Sequence, residues 1–233
     1  MRSPEPDDRL RMLAELKEAI RRIERRPARR SGVVPTGLKE IDAALPGGGF
    51  PRGAISVLAG GQASGKTAVA LSVLASLGEE ELFAWVDGRG EMYPPAAAAR
   101  GVDLGRLLIV RPGTAPAGPG VGAGELAGPV AVGDEPLAYG CLWAAEALLG
   151  SGAFAAIVLD VPIPRGKRGW DAIARRLQAA AERGGALAIW LAPSRASVRL
   201  PAAVRLELST QEGRIVARRA AGGGALAGDR HVA

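Results

Sequence analysis

Short continuous apolar runs recur along the chain, and each predicts a strand buried on both faces. They cover residues 54–60, 82–86, 107–110, 156–159 and 186–191. Between them, helical patterns at residues 66–77, 135–149 and 170–182 predict helices that cover the sheet. Strands that alternate with helices are typical of a largely parallel sheet, so we expect an α/β fold.

The two flanks of this pattern differ from its centre. Residues 8–26 place Leu13, Leu16 and Ile20 on one apolar stripe of a charged helix. This predicts a helical extension over residues 1–30, which either lies on its own domain or docks on a neighbouring subunit or partner. At the other end, the alternating runs 204–209 and 213–219 predict a closing antiparallel pair.

Glycine and proline are abundant, with 33 and 17 residues, and they concentrate in two stretches. Residues 112–133 are predicted to be a flexible insert in a core that spans residues 31–219, and residues 220–233 a disordered tail. His231, the only histidine of the sequence, lies in that tail, so a catalytic or metal-binding histidine is not expected.

Charge, cysteine content and hydropathy bear on the expected partners and location of the protein. The net charge of +6 suits a partner that carries phosphates, although arginine-rich composition also follows from GC-rich coding. The single cysteine, Cys141, lies in an apolar run and is expected to be buried without a disulfide. Neither a membrane span nor a signal peptide is apparent, which predicts a bacterial cytoplasmic location and no membrane partner.

The segment GGQASGKT follows the first long strand and opens a helix, which is the required context for a nucleotide phosphate loop. Its backbone N–H groups, a lysine charge and the helix N-terminus would hold phosphate oxygens. The predicted nucleotide-binding residues are Gly60, Gly61, Gln62, Ala63, Ser64, Gly65, Lys66 and Thr67. A degenerate loop that keeps the shape but binds nothing is the alternative.

A magnesium ion is predicted to accompany the nucleotide. The Thr67 hydroxyl is one expected ligand. Asp160 ends an apolar strand and would hold the water shell of Mg²⁺ beside Thr67. Apolar strands that end in aspartate are common, so this second assignment depends on its combination with the phosphate loop.

Residues 36–75, TGLKEIDAALPGGGFPRGAISVLAGGQASGKTAVALSVLA, closely resemble the entry to the core of the RecA recombinase family. The likeness extends through WVDGRGEMYPPAAAARGVDLGRLLIVRP and GAFAAIVLDVP and covers roughly residues 31–219. The short core and the LPGGGFPRGA turn are most similar to ImuA, the RecA-like protein of bacterial mutagenesis cassettes. The resemblance implies a RecA-like core that uses ATP and Mg²⁺.

The sequence departs from that family where RecA places its catalytic glutamate. The resemblance puts Arg89 at this position, after the strand that ends in Asp87. Loss of a positioned general base typically lowers the rate by roughly 10²–10⁴-fold. Glu91 is a candidate substitute through a shift of the loop, and Tyr93 is a candidate to stack on a purine. Ala192 and Pro193 lie near the position of the family's nucleotide sensor, so no side-chain amide is available there.

The resemblance also implies positions for DNA and subunit contacts. The two shortened DNA loops keep basic side chains, namely Arg165, Lys167, Arg168, Arg195 and Arg199. A solvated basic loop explains them equally well. Arg218 and Arg219 lie near the strand from which RecA reaches into a neighbour's ATP site. Ordinary solvent-facing arginines at a strand end are the favoured alternative.

Together, the resemblance and its departures imply a RecA-like accessory or regulatory protein with a degenerate ATPase site. Its expected setting is the DNA-damage or SOS response and translesion mutagenesis. The implied partners are RecA itself or polymerase components, of the ImuB type and of the error-prone replicative type, with single-stranded DNA and homo-oligomer contacts left open. An active DNA-dependent ATPase and a structural adaptor with a vestigial nucleotide site are the alternatives.

Overall fold

The computed structural model describes residues 32–111, 135–161, 170–194 and 202–220. Three predicted features lie outside these ranges: the N-terminal helix with Leu13, Leu16 and Ile20, the insert over residues 112–133, and the tail beyond Ala220. The five basic residues of the predicted DNA loops also lie outside them. The ranges that are described include the phosphate loop and the strand ends around it.

The strands and helices follow in an order that alternates along most of the chain. The strands are β1 (Val33–Val34), β2 (Phe50–Pro51), β3 (Ile55–Gly60), β4 (Leu82–Asp87), β5 (Leu107–Val110), β6 (Phe154–Asp160), β7 (Leu187–Ala192), β8 (Val204–Gln211) and β9 (Arg214–Arg219). The helices are α1 (Lys39–Ala44), α2 (Lys66–Ala75), α3 (Pro94–Ala98), α4 (Glu135–Ser151) and α5 (Trp170–Gly184), with short 3₁₀ turns at Pro46–Gly48 and Leu104–Arg106.

Seven strands form one mixed sheet in the order β5-β4-β6-β7-β3-β8-β9. All of them except β9 run parallel, and β9 is antiparallel to β8. The carboxyl ends of β3, β4 and β6 therefore meet at one edge of the sheet. The predicted α/β fold, the mainly parallel sheet and the closing antiparallel pair are confirmed. A separate two-stranded ladder of β1 and β2 was not predicted.

Two apolar layers explain why the central strands are apolar at almost every position, with Ser56 of β3 as a buried exception. On β3, Leu58 packs into the layer that holds α2, whereas Ile55 and Val57 pack into the layer beneath α4 and α5. Successive side chains of a strand point to opposite faces, so a strand covered on both sides needs apolar residues at every position. The core is closed without histidine or a disulfide, and Cys141 of α4 is fully buried, as predicted.

Candidate nucleotide site

The phosphate loop joins the carboxyl end of β3 to the first turn of α2, as predicted. Only glycine fits at Gly60, because an added Cβ would lie 2.3 Å from Ser64 Oγ and 2.6 Å from the carbonyl oxygen of Leu208. Gly65 has φ +90° and is the N-cap residue immediately before α2, so a left-handed residue leads directly into the helix. Gly61 is exposed, with no neighbouring atom within 4 Å of where a Cβ would stand, which leaves the loop mouth open.

Lys66 turns its ammonium group back onto the loop. Its Nζ donates to the carbonyl oxygens of Gly60 at 2.7 Å and Gly61 at 2.6 Å, and to Ser64 Oγ at 3.3 Å. Three protons are thus engaged by acceptors of the loop itself, so the charge is held at the loop mouth. A phosphate oxygen that enters there would replace these acceptors. Thr67 follows on the exposed side, and Gln62 and Ala63 are exposed as well.

The closing strand pair supports the loop from its other side. Thr210 Oγ1 of β8 donates to the carbonyl oxygen of Ala63 at 2.8 Å, and Ala63 itself has φ +55°. The Ile215 side chain of β9 lies against Gly65. Two residues beyond the end of β7, the backbone N–H of Ser194 donates to the carbonyl oxygen of Gly60 at 3.2 Å. The conformation of the loop therefore depends on β7, β8 and β9 as well as on its own glycines.

Two aspartates stand side by side at the same edge of the sheet. Asp87 of β4 and Asp160 of β6 are register partners, and Gly88 N–H donates to the carbonyl oxygen of Asp160 at 2.9 Å. The Asp87 carboxylate is fully buried and accepts from the backbone N–H groups of Glu91 and Met92. Arg111 closes this arrangement by donating from Nε to Asp87 Oδ2 at 2.7 Å. Asp87 is therefore a structural anchor for residues 88–92.

Arg89 turns its side chain toward Asp160. Its Nε lies 2.9 Å from Asp160 Oδ1, and the Arg89 side chain is 38% exposed while that of Asp160 is only 10% exposed. The two residues are 71 positions apart in sequence, and they meet because β4 and β6 are neighbours in the sheet. The arginine that stands where the resemblance expects a glutamate is thus the ion-pair partner of the predicted magnesium ligand.

The charged side chains at this edge of the sheet shift the pKa values of Asp160 and Lys66. Burial raises the pKa of Asp160, the Arg89 guanidinium opposes that rise, and the carboxylates of Glu91 and Asp87 add to it. For Lys66, burial lowers the pKa, the positive charge of Arg89 lowers it further, and the charge of Asp160 opposes both. Lys66, Arg89, Glu91 and Asp160 therefore form one electrostatic cluster at the mouth of the phosphate loop.

The described residues fit a nucleotide better than they fit a magnesium ion. The open loop mouth, the buried Ser64 and the Lys66 ammonium form a phosphate cradle. In contrast, the carboxylate of Asp160, which would have to hold the magnesium ion, already forms an ion pair with the guanidinium of Arg89. Within the part of the chain that the structure describes, no group of three or more acidic, histidine or cysteine side chains could hold a metal ion. The assignment of Mg²⁺ to Thr67 and Asp160 stays a prediction that this ion pair opposes.

Three other predicted site residues lie outside this cluster, namely Tyr93, Arg218 and Arg219. Tyr93 precedes Pro94 at the start of α3 with 66% of its surface exposed, so its ring is accessible for stacking. Arg218 is level with Ala59 but two strands away, roughly 10 Å across the sheet. Both Arg218 and Arg219 are exposed on the edge strand β9, and as consecutive strand residues they point to opposite faces of the sheet. The roles proposed for these three residues stay predictions.

Sequence reasoning missed several residues that build the site. Asp87 looked like one more strand-end aspartate, and Arg111 and Thr210 carried no motif at all. The signal for Asp87 and Arg111 was weak but present, because both follow apolar strand runs whose ends meet at one edge. Nothing in the pattern of residues 204–211 distinguished Thr210 as a support of the phosphate loop.

Comparisons with known proteins agree with this geometry. A family model described as the RecA N-terminal domain matches residues 14–119. Protein RecA of Salinispora tropica is 39% identical over 99 residues, which cover 42% of this chain and 28% of that protein. Protein RecA of Lactobacillus delbrueckii subsp. bulgaricus is 37% identical over 99 residues, and that of Symbiobacterium thermophilum is 43% identical over 83 residues.

These matches reach only part of each protein. They cover 30% of the Lactobacillus protein and 24% of the Symbiobacterium protein. The chain thus matches less than a third of the length of these curated relatives, and the range of the family model, residues 14–119, includes the phosphate loop. Taken with the α/β sheet and the loop geometry, the matches support a RecA-like family for this chain.

Proposed function

We propose that this chain is a RecA-like accessory protein that binds a nucleotide at its phosphate loop and hydrolyses it slowly or not at all. Its proposed setting is the bacterial cytoplasm, in the response to DNA damage and in translesion mutagenesis. The observation that carries the proposal is the ion pair between Arg89 and Asp160, formed beside an otherwise complete phosphate cradle.

The chemistry at the strand ends supports slow hydrolysis. A general base must accept a proton from the attacking water, and an arginine cannot do so because it stays protonated. Asp87 does not supply the missing group, because its buried carboxylate is used by Glu91 N–H, Met92 N–H and Arg111. Asp160 is paired with Arg89. Neither strand-end carboxylate is free to activate water.

The test is a turnover assay on purified protein with ATP, Mg²⁺ and single-stranded DNA. We expect turnover at least about 10²-fold below that of a RecA assayed beside it. Lys66→Ala should abolish nucleotide binding and, with it, any slow turnover that belongs to this site. Brisk turnover that disappears in Lys66→Ala would contradict the proposal.

One observation favours a second candidate function, an active DNA-dependent ATPase. The carboxylate of Glu91 contributes to the rise in the pKa of Asp160, so its charge acts at the mouth of the phosphate loop. Glu91 could then orient water in place of the residue that the family uses. In that case Glu91→Gln would lower turnover by about 10²-fold or more while ATP binding persists.

The proposed mode of action is contact with other proteins. The resemblance to ImuA points to polymerase components of the ImuB and error-prone replicative types, and the RecA-like core points to RecA filaments, single-stranded DNA and other copies of this chain. A chain with RecA-like contact surfaces and slow turnover would cap or interrupt a filament. Adding it to RecA on single-stranded DNA should therefore lower filament length and RecA turnover. An unchanged filament at stoichiometric excess would argue against this action.

A further inference from the structure

Arg89 is a second fixed cation at the phosphate loop, supplied by the chain itself. It is held over the carboxyl end of the sheet by the strand β4 and by its ion pair with Asp160. We infer that this site binds the polyphosphate of a nucleotide without a divalent cation, with Arg89 supplying the countercharge that a metal ion would otherwise provide. This inference rests on the proposed nucleotide site and specifies the form of ligand that the site takes.

A metal ion and Arg89 would compete for one carboxylate, that of Asp160. A divalent ion and a guanidinium are both cations, and Asp160 Oδ1 is 2.9 Å from Arg89 Nε. A metal ion at Asp160 would have to displace the guanidinium or lie beside its positive charge, and both cost free energy. Thr67 alone offers one neutral hydroxyl, and Mg²⁺ needs several oxygen ligands with carboxylates or substrate phosphates among them.

An arginine side chain is well suited to bind phosphate. A guanidinium is permanently charged and offers five N–H donors in a planar fork, which matches two oxygens of a phosphate. Arg89 uses Nε toward Asp160, while its side chain remains 38% exposed. The remaining donors can therefore face a ligand without loss of the existing ion pair. Lys66 then neutralises the phosphates from the loop side and Arg89 from the side of β4.

The segment that carries Arg89 is held rigidly by backbone hydrogen bonds. Gly88 N–H is bonded to the carbonyl oxygen of Asp160, and the N–H groups of Glu91 and Met92 are bonded to Asp87. The backbone on both sides of Arg89 is therefore fixed to the sheet. A cation held in advance at a binding site loses little conformational freedom when the ligand arrives, so more of its attraction appears as affinity.

The experiment is a calorimetric titration of the full chain with ATP, in excess EDTA and in excess Mg²⁺. For the unmodified protein we expect equal affinities in the two media, within about threefold. Arg89→Gln should lose about 10–100-fold in affinity in EDTA, because it removes charged hydrogen bonds. The same variant should recover affinity in Mg²⁺, because Asp160 is then free to hold the ion through water. Arg89→Lys, which keeps the charge without the fork, should fall between the two.

The matched control is Arg100→Gln. Arg100 is exposed and precedes Gly101, which lies against Ala75 at the end of α2 that points away from the phosphate loop. The ATP affinity of the Arg100→Gln variant should equal that of the unmodified chain in both media. Thermal unfolding of Arg89→Gln, followed by circular dichroism, checks that the variant is folded.

The titration distinguishes failure of the role proposed for Arg89 from failure of the nucleotide site itself. If the unmodified chain binds ATP only with Mg²⁺, or if Arg89→Gln binds as tightly in EDTA as the unmodified chain does, the role of Arg89 is refuted and the nucleotide site stands. If no ATP binds in either medium, the nucleotide site itself is refuted, and the proposed function and this inference fail together.

Discussion

At the scale of single residues, Asp160 carries a charge that the fold does not favour. Burial raises its pKa above the ordinary 3.8, despite the opposing charge of Arg89. A raised carboxyl pKa means that stability is full in acid and falls as the pH rises through the folded pKa. Asp160→Asn removes this cost, so we expect the variant to be more stable than the unmodified chain at neutral pH. The difference should shrink toward pH 3.8. Urea unfolding at several pH values measures it.

Asp103 provides a control of opposite sign for that prediction. The backbone N–H of Gly105, followed by the side chain of Arg106, lowers the pKa of Asp103. Its ionised form is favoured in the fold, and that stability is lost as the pH falls. Asp103→Asn should therefore be slightly less stable than the unmodified chain at neutral pH. Equal signs for the two variants would contradict the electrostatic account of Asp160.

The buried thiol of Cys141 gives a second prediction at the residue scale. Burial, helped by the charge of Asp87, raises its pKa to about 11. Only the thiolate is nucleophilic, and at pH 8 it would be roughly one thousandth of the population. We expect iodoacetamide to leave the native protein unmodified and to add one label after unfolding in urea, as measured by intact mass. Rapid labelling of the native chain would show that α4 opens readily.

At the scale of elements, the segment after β4 is held by one buried carboxylate. Asp87→Ala leaves the N–H groups of Glu91 and Met92 and the side chain of Arg111 without their acceptor. We expect a loss of about 2–4 kcal/mol in the free energy of unfolding, with faster amide exchange at Glu91 and Met92. The exposed Asp103 bonds to Gly105 N–H and Arg106 in a similar way, so Asp103→Ala serves as the control and should change little. Equal stability losses in the two variants would refute the anchor role.

The same elements show how far the sequence predicts the structure. Strands β3, β4, β6 and β7 were predictable because burial on both faces favours apolar residues at almost every position, which is a strong signal. The edge strand β5 also has an apolar sequence, but it is not buried on both faces, and its Leu108 is exposed. The ladder of β1 and β2 was not, because two-residue strands are too short to show a period. The phosphate loop was predictable from its glycines and lysine. The partner of Arg89 was not, because it depends on β4 and β6 being neighbours, and strand order is a property of the whole sheet.

At the scale of the whole molecule, the sheet brings the origins of both predicted DNA loops to one edge. The segment after β6 leaves the described structure at Val161 and the segment after β7 leaves it at Ser194, and these two strands are neighbours. Ser194 N–H is bonded to Gly60 of the phosphate loop. Within the described ranges, no helix is long and apolar enough to cross a membrane. If both predicted DNA loops bind DNA, this edge is where they begin, and the net charge of +6 would add a general attraction to the phosphates.

Salt dependence tests that placement. Each phosphate contact on a single strand adds about 0.7 to the slope of log affinity against log salt. Replacing Arg165, Lys167 and Arg168 together by glutamine should therefore lower the slope for single-stranded DNA by about two units. The matched control replaces Arg100, Arg175 and Arg214, three exposed arginines in separate parts of the fold, with the same change in net charge. A general attraction to the positive molecule would weaken both triple variants alike, whereas contacts at the sheet edge weaken only the first. Fluorescence anisotropy over a range of salt concentrations separates the two cases, and equal slopes for the two triple variants would refute specific DNA contacts by Arg165, Lys167 and Arg168.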